Sequence, residues 1–207
     1  MVSFHSAEFL TSANALEGCP PDRGAEVAFA GRSNAGKSSA LNVITNRRAL
    51  ARISKTPGRT QLINFFSVAP ETRLVDLPGY GYARVPARVR AHWRQLMGSY
   101  FQERQSLAGL MVIMDVRRPL MPFDLQMLAY GGAAGLPMHV LLTKADKLSR
   151  GAASGVLQKT RAQLDPRVTI QLFSALKNTG VEQARAQIAV WLGASGEVQK
   201  EKDPGAN

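Results

Sequence analysis

The chain has 207 residues, 45% of them hydrophobic and 20% charged, the size and mixture of one globular α/β domain with a substantial core rather than of a disordered segment. Lys and Arg number 26 against 15 Asp and Glu, a net charge of +11, which favours a polyanionic partner, with nucleic acid the first candidate. No apolar run approaches the roughly 20 residues of a membrane span, and no basic segment leads into an apolar one near the N-terminus. Cys19 is the only cysteine, so no internal disulfide forms, and His5, His92 and His139 are too scattered to ligate zinc. A cytoplasmic protein is expected.

Residues 1–24 read as an extension ending in the breaker-rich Gly18-Cys19-Pro20-Pro21-Asp22-Arg23-Gly24. The domain proper is expected over 25–193. It opens on Val27-Ala28-Phe29-Ala30, a buried strand that feeds Gly31-Arg32-Ser33-Asn34-Ala35-Gly36-Lys37-Ser38-Ser39 and a helix from Lys37 to Ile44. Glycines bracketing a loop between strand and helix let backbone N–H groups turn inward, and the helix N-terminus adds its dipole, so the loop cradles phosphates. Lys37 is placed to reach the β- and γ-phosphates, and the Ser38 hydroxyl to bind Mg²⁺. Asn34 has two readings. Its side-chain carbonyl could hold a monovalent cation such as K⁺ near the phosphates, which would raise the hydrolysis rate by roughly 10³–10⁵ as an arginine finger does, or it could simply shape the loop.

Next comes Ser54-Lys55-Thr56-Pro57-Gly58-Arg59-Thr60-Gln61, a polar segment suited to a switch loop ordered by γ-phosphate and Mg²⁺. Gly58, Arg59, Thr60, Gln61 and Leu62 are its nucleotide-side candidates; Thr60 is preferred as the Mg²⁺ threonine, with Thr56 the competitor. Asn64 to Val68 and Arg73 to Asp76 read as a hairpin turning at Ala69-Pro70-Glu71. The second strand ends in Asp76-Leu77-Pro78-Gly79, where Asp76 would hold Mg²⁺ through water and the Gly79 N–H would sense the γ-phosphate. Lys37 and Gly79 are therefore the catalytic candidates. Ras-type enzymes follow this glycine with a glutamine that orients the attacking water; here the residue is Tyr80, so intrinsic hydrolysis should be slow.

A helix over 86–105 places Val89, Trp93, Leu96, Met97, Tyr100 and Phe101 on one side, with Arg88, Arg90 and Arg94 mostly elsewhere. Leu110 to Asp115, His139 to Thr143 and Val168 to Phe173 are continuous apolar strands of the parallel-sheet type, with further helices near 123–131, 152–164 and 181–192. Residues 194–207 read as a disordered tail. The alternation predicts an α/β fold: a doubly wound, six-stranded, mostly parallel sheet with one antiparallel strand and helices on both faces. Thr143-Lys144-Ala145-Asp146 ends a strand. One carboxylate accepts both the N1–H and the 2-amino group of guanine, a donor pair that adenine lacks, so Asp146 would select guanine. Lys144 would lay its alkyl stem over the base, and the backbone N–H groups of Phe173-Ser174-Ala175 would meet guanine O6.

In this order GRSNAGKSS, TPGRTQ followed by NFF, DLPGYGYA, TKADKL and FSA resemble the EngB (YihA/YsxC) family of bacterial ribosome-biogenesis GTPases, from about Val27 to Leu192. The resemblance implies a P-loop G domain that needs Mg²⁺, binds GTP and GDP, and acts in assembly of the large ribosomal subunit, with a link to cell division and septation. It supports Thr60 over Thr56, and it makes the large subunit or its precursor, through ribosomal RNA, the partner for the basic excess. Arg84, Arg88, Arg90, Arg94, Arg117 and Arg118 are the RNA-facing candidates, and a monomer is expected. Two other classes share the phosphate loop. A metabolic P-loop phosphotransferase conflicts with Asp146, and the G domain of a transport system conflicts with the charge and the lack of a span.

Overall fold

A computed structural model describes residues 3–51, 62–79 and 87–201. Among these residues the apolar runs become seven strands: β1 (Glu8–Ala13), β2 (Ala25–Gly31), β3 (Ile63–Ala69), β4 (Thr72–Asp76), β5 (Leu107–Asp115), β6 (Met138–Thr143) and β7 (Thr169–Leu172). They form one sheet of order β1-β3-β4-β2-β5-β6-β7. The pairings of β2 with β4 and β5, and of β6 with β5 and β7, are parallel; both pairings of β3 are antiparallel. A single one of these strands, β3, therefore runs against the rest, as the sequence predicts.

The count of six strands is corrected to seven. The seventh is β1, which lies in the stretch read as an extension. Its sequence, Glu8-Phe9-Leu10-Thr11-Ser12-Ala13, shows no alternation because five of its six residues are exposed or half-buried. Main-chain bonds to β3 hold it at the sheet edge, with an irregularity between Phe9 and Thr11. Pattern reading detects buried faces, and an edge strand of this kind has hardly any.

Among the described residues five helices cover the sheet: α1 (Lys37–Ile44), α2 (Ala87–Glu103), α3 (Pro122–Ala133), α4 (Arg150–Arg161) and α5 (Val181–Glu201). The last runs through Glu201, past the point where a disordered tail was expected to begin. Strand side chains alternate between two cores, as the period of two requires. Ala28, Ala30, Val112 and Val140 face a layer made by α2, α3 and α4, with Trp93, Tyr100, Phe123 and Met127 fully or nearly buried in it. Val27, Phe29, Met111 and Leu141 face α1 and α5, where Leu41, Ile44, Ile188 and Trp191 pack. The predicted stripe on α2 is the buried one: Trp93, Leu96, Met97, Tyr100 and Phe101 are in the core. Six strands point the same way, so their carboxyl ends share one edge, where ligands bind in open α/β sheets. No helix among the described residues is long and apolar enough to cross a membrane.

Candidate functional site

Every motif singled out in the sequence and described in the structure lies on that edge. The loop after β2 reaches α1 through Gly36, whose φ of 97° is left-handed, a conformation that strains other residues. Asn34 is left-handed too, at φ 62°, and its side chain is exposed. Asparagine tolerates this region better than most residues, so the loop-shaping reading has a geometric basis. Ala35 N–H donates to the Arg32 carbonyl at 3.0 Å, closing the turn. Lys37 and Ser38 are half-buried in the first turn of α1.

The end of β4 is pressed against this loop. Leu77 N–H donates to the Phe29 carbonyl at 3.0 Å, and the Lys37 ammonium is paired with the buried Asp76 carboxylate. A Cβ on Gly79 would come within 3.1 Å of the Gly31 carbonyl, so a side chain there would push the two loops apart. A hydroxyl (Ser38) and a carboxylate (Asp76) beside the phosphate cradle are hard oxygen donors of the kind Mg²⁺ takes, with further positions left for phosphate and water. The residues present fit that ion. Gly58, Arg59, Thr60, Gln61, Tyr80 and Arg84 lie outside the described residues; Leu62 is described and half-buried just ahead of β3.

The residues expected to recognise the base are tied directly to the Gly31–Ser38 loop. The Thr143 hydroxyl bonds to the Ala35 carbonyl and, at 3.0 Å, to that of Met114. Lys144 Nζ donates to the Asn34 carbonyl at 2.5 Å and lies 3.0 Å from Asp115 Oδ2. Its stem thus crosses between two loops, as a platform for a flat base requires. Asp146 is held by the Ser174 hydroxyl, which donates to its Oδ1 at 2.5 Å and keeps the carboxyl below the usual range. The ionised, acceptor-only form is the one a guanine donor pair needs. Ala145 N–H donates to the Phe173 carbonyl at 3.1 Å, and Ser174 and Thr179 pair across the return of their loop. Ala175 is half-buried there. Beneath, the buried His139 bonds Thr169 Oγ1 at 2.6 Å and Gln171 Oε1 at 3.0 Å, and Gln171 Nε2 reaches the Gly180 carbonyl at 2.7 Å. The sequence-predicted phosphate, Mg²⁺ and base residues that are described therefore form one continuous site.

Two carboxylates bordering it were not singled out from the sequence. Asp115, ending β5, is forked by Arg117 (2.9 and 2.7 Å) and holds Lys144; both cations push its carboxyl well below the usual range. Arg117, read as RNA-facing, is thus paired at the site's border although exposed, like Arg118, Arg88, Arg90 and Arg94. The only signal for Asp115 was a charge closing an apolar run.

Asp124, at the third position of α3, accepts the Met121 N–H at 3.0 Å, and its second oxygen lies 3.7 Å from Arg32 Nε, too far for a hydrogen bond. Burial pushes its pKa up to about 6. A carboxyl with a raised folded pKa favours folding fully below its unfolded value, and that contribution is lost as pH rises through the folded one. Asp124→Asn is therefore expected to gain stability over the parent between pH 4 and 7, by on the order of 3 kcal/mol. Urea unfolding across that range measures the difference; a constant difference would show that Asp124 does not titrate there.

Phosphate loop, D-x-x-G turn and base-recognition loop on one edge of this sheet define a P-loop GTPase domain. Residues 26–144 match the family model described as "50S ribosome-binding GTPase". A relative from Stenotrophomonas maltophilia, named "Probable GTP-binding protein EngB", is 56% identical over 191 residues, covering 90% of this chain and 96% of that one. One of the same name from Nitrosococcus oceani is 52% identical over 196 residues, covering 93% and 98%. The chain belongs to the EngB family of GTP-binding proteins. Among solved structures, "a probable GTP-binding protein engB" superposes with a TM-score of 0.66 at 20% identity, covering 82% of this chain and all of that one.

Proposed function

We propose that this chain is a GTP-gated assembly factor for the large ribosomal subunit. In the GTP form the Ser54–Gln61 switch loop and the Asp76–Gly79 turn would engage the γ-phosphate and the protein docks on the subunit or its precursor; hydrolysis releases it. The observation that carries this reading is the Lys144 bridge from the base loop to the Asn34 carbonyl and Asp115. Through it, base recognition and phosphate binding become a single act, as a nucleotide switch needs. The family description, a GTPase that binds the 50S ribosome, and the net charge of +11 support ribosomal RNA as the surface met. When bound, Mg²⁺ neutralises charge on the β- and γ-phosphates; Ser38, Thr60 and, through water, Asp76 would hold it. Gly31 to Ser39, Gly58 to Leu62, Asp76 to Gly79, Thr143 to Asp146 and Phe173 to Ala175 would contact GTP. Lys37 and the Gly79 N–H would act on the γ-phosphate. The protein works as a cytoplasmic monomer, and the septation role implied by its family would follow from ribosome supply.

Co-sedimentation with large ribosomal subunits is expected in a non-hydrolysable GTP analogue and not in GDP. Equal recovery in both would sink the gating. Binding should also weaken steeply with salt, with a log–log slope of order −4 to −5 for about six phosphate contacts. Tyr80 in place of the water-orienting glutamine makes turnover slow, and a cation on Asn34 would restore part of the missing charge. Turnover is therefore expected to be faster in KCl than in NaCl; equal rates remove the cation and leave Asn34 as a loop-shaping residue. A phosphotransferase reading would need ATP to displace GTP at similar concentration.

A further inference from the structure

The positive charge is not spread evenly. Residues 147–177 hold Lys147, Arg150, Lys159, Arg161, Arg167 and Lys177 against one acid, Asp165, so 31 residues carry +5 of the chain's +11. All six cations are exposed. Arg167 is forked by Asp165 at 3.0 and 2.8 Å, and Lys147 stands 3.8 Å from Asp146. Arg161 reaches only the Ile170 carbonyl, at 3.5 Å. Among the described residues the charged ends of Arg150 and Lys159 have no partner, and α4, which bears them, contains no acidic residue.

The topology gives this strip a setting. α2, α3 and α4 lie on one face of the sheet, α2 against α3 and α4 against β7. α2 shows Arg88, Arg90 and Arg94 outward, α4 shows Arg150 and Lys159, and the only charge on α3 between them, Asp124, is buried. Lys147, three residues ahead of α4, stands 3.8 Å from Asp146, so the strip begins beside the Asp146–Ser174 pair.

We propose that the exposed face of α4 is a second binding surface for the phosphate backbone of RNA, facing the same partner as α2 across the neutral α3. This rests on the ribosomal reading above and adds to it a surface on the far side of α3. The strip offers two cations without a partner among the described residues, Arg150 and Lys159, on a helix with no acid. That is the arrangement that releases counterions on meeting a polyphosphate, and it carries no device for reading sequence.

The test uses the full-length, GTP-analogue-bound protein and a labelled RNA duplex of about two helical turns, titrated over a series of KCl concentrations. R150Q/K159Q is expected to bind several-fold more weakly and to lower the log–log salt slope by about 1.4–1.8, for two lost phosphate contacts. Its GTP turnover and urea midpoint should match the parent. An unchanged slope in R150Q/K159Q, alongside a lowered one in R88Q/R94Q, overturns the α4 surface and leaves the ribosomal reading standing. Failure of the parent to bind the duplex overturns both. If poly-glutamate displaces the duplex at equal charge concentration, the ridge serves an acidic protein and the RNA assignment falls.

Discussion

Asp146→Asn is expected to weaken GTP binding by about 10²–10⁴-fold and to make xanthosine triphosphate the better ligand. Guanine offers two donors, and each bond to an ionised carboxylate contributes roughly 1.5–3 kcal/mol. Losing both sets the range, since about 1.4 kcal/mol is a factor of ten. An amide keeps one acceptor but turns its N–H₂ toward the guanine amino group, donor against donor. Xanthine has a carbonyl at that position, which the amide can meet. The Ser174 hydroxyl, now 2.5 Å from Asp146 Oδ1, can donate equally to an amide oxygen, so the side chain keeps its orientation and the change reports on the base alone. Ser174→Ala should cost only the positioning bond, around fivefold for about 1 kcal/mol. Equilibrium titration with GTP and xanthosine triphosphate checks this; an Asp146→Asn variant that holds GTP within about threefold of the parent would place base recognition elsewhere.

The prediction could be made from sequence because the site depends on local grammar. A strand, a glycine-bracketed loop and a helix start are adjacent in the chain, so the phosphate loop was legible, and α1 runs from Lys37 to Ile44 as read. Thr143 to Asp146 and Phe173 to Ala175 were legible for the same reason, each following a continuous apolar strand. Interactions between distant segments were not. The Lys144 bond to Asn34 joins residues 110 positions apart, and that of Thr143 to Ala35 spans 108. Neither leaves a mark on local pattern. Asp115 and Asp124 looked like the end of a strand and the start of a helix; only the fold sets one against Lys144 and the other against Arg32. Arg117 was read as a free surface cation because its partner, Asp115, is recognisable only once the turn between them has closed. Charge showed the same limit. The total of +11 pointed to a polyanion, while its concentration on α4 became meaningful when α2, α3 and α4 proved to share a face.

The buried Glu26 tests the opposite end of the sheet. It is fully buried at the start of β2, opposite Arg73 of β4. Arg73 Nε donates to its Oε1 at 2.7 Å, and Arg104 reaches both oxygens at 2.6 and 3.0 Å. The Tyr100 hydroxyl donates to Oε2 at 3.2 Å, and burial beside this carboxylate drives the phenol's pKa well up. Arg73 also donates to the carbonyls of Pro21 and Arg23, so the network anchors the segment leading into β2. Glu26→Ala would leave two nearly buried guanidinium groups without their shared anion. Breaking a buried pair in this way costs about 3–5 kcal/mol, a large part of the roughly 5–15 kcal/mol that a domain typically has. The expected result is a Tm lower by on the order of 10 °C. Below that transition the folded protein should bind GDP as the parent does, because the nucleotide loops sit at the carboxyl ends of the strands and Glu26 at an amino end. Calorimetry with and without GDP separates the two effects. A loss below about 1 kcal/mol would mean that Asp22, 3.6 Å from Arg104, can take over the anion's place. Weakened GDP binding in the folded variant would mean that the network's influence runs the length of β2 to the phosphate loop.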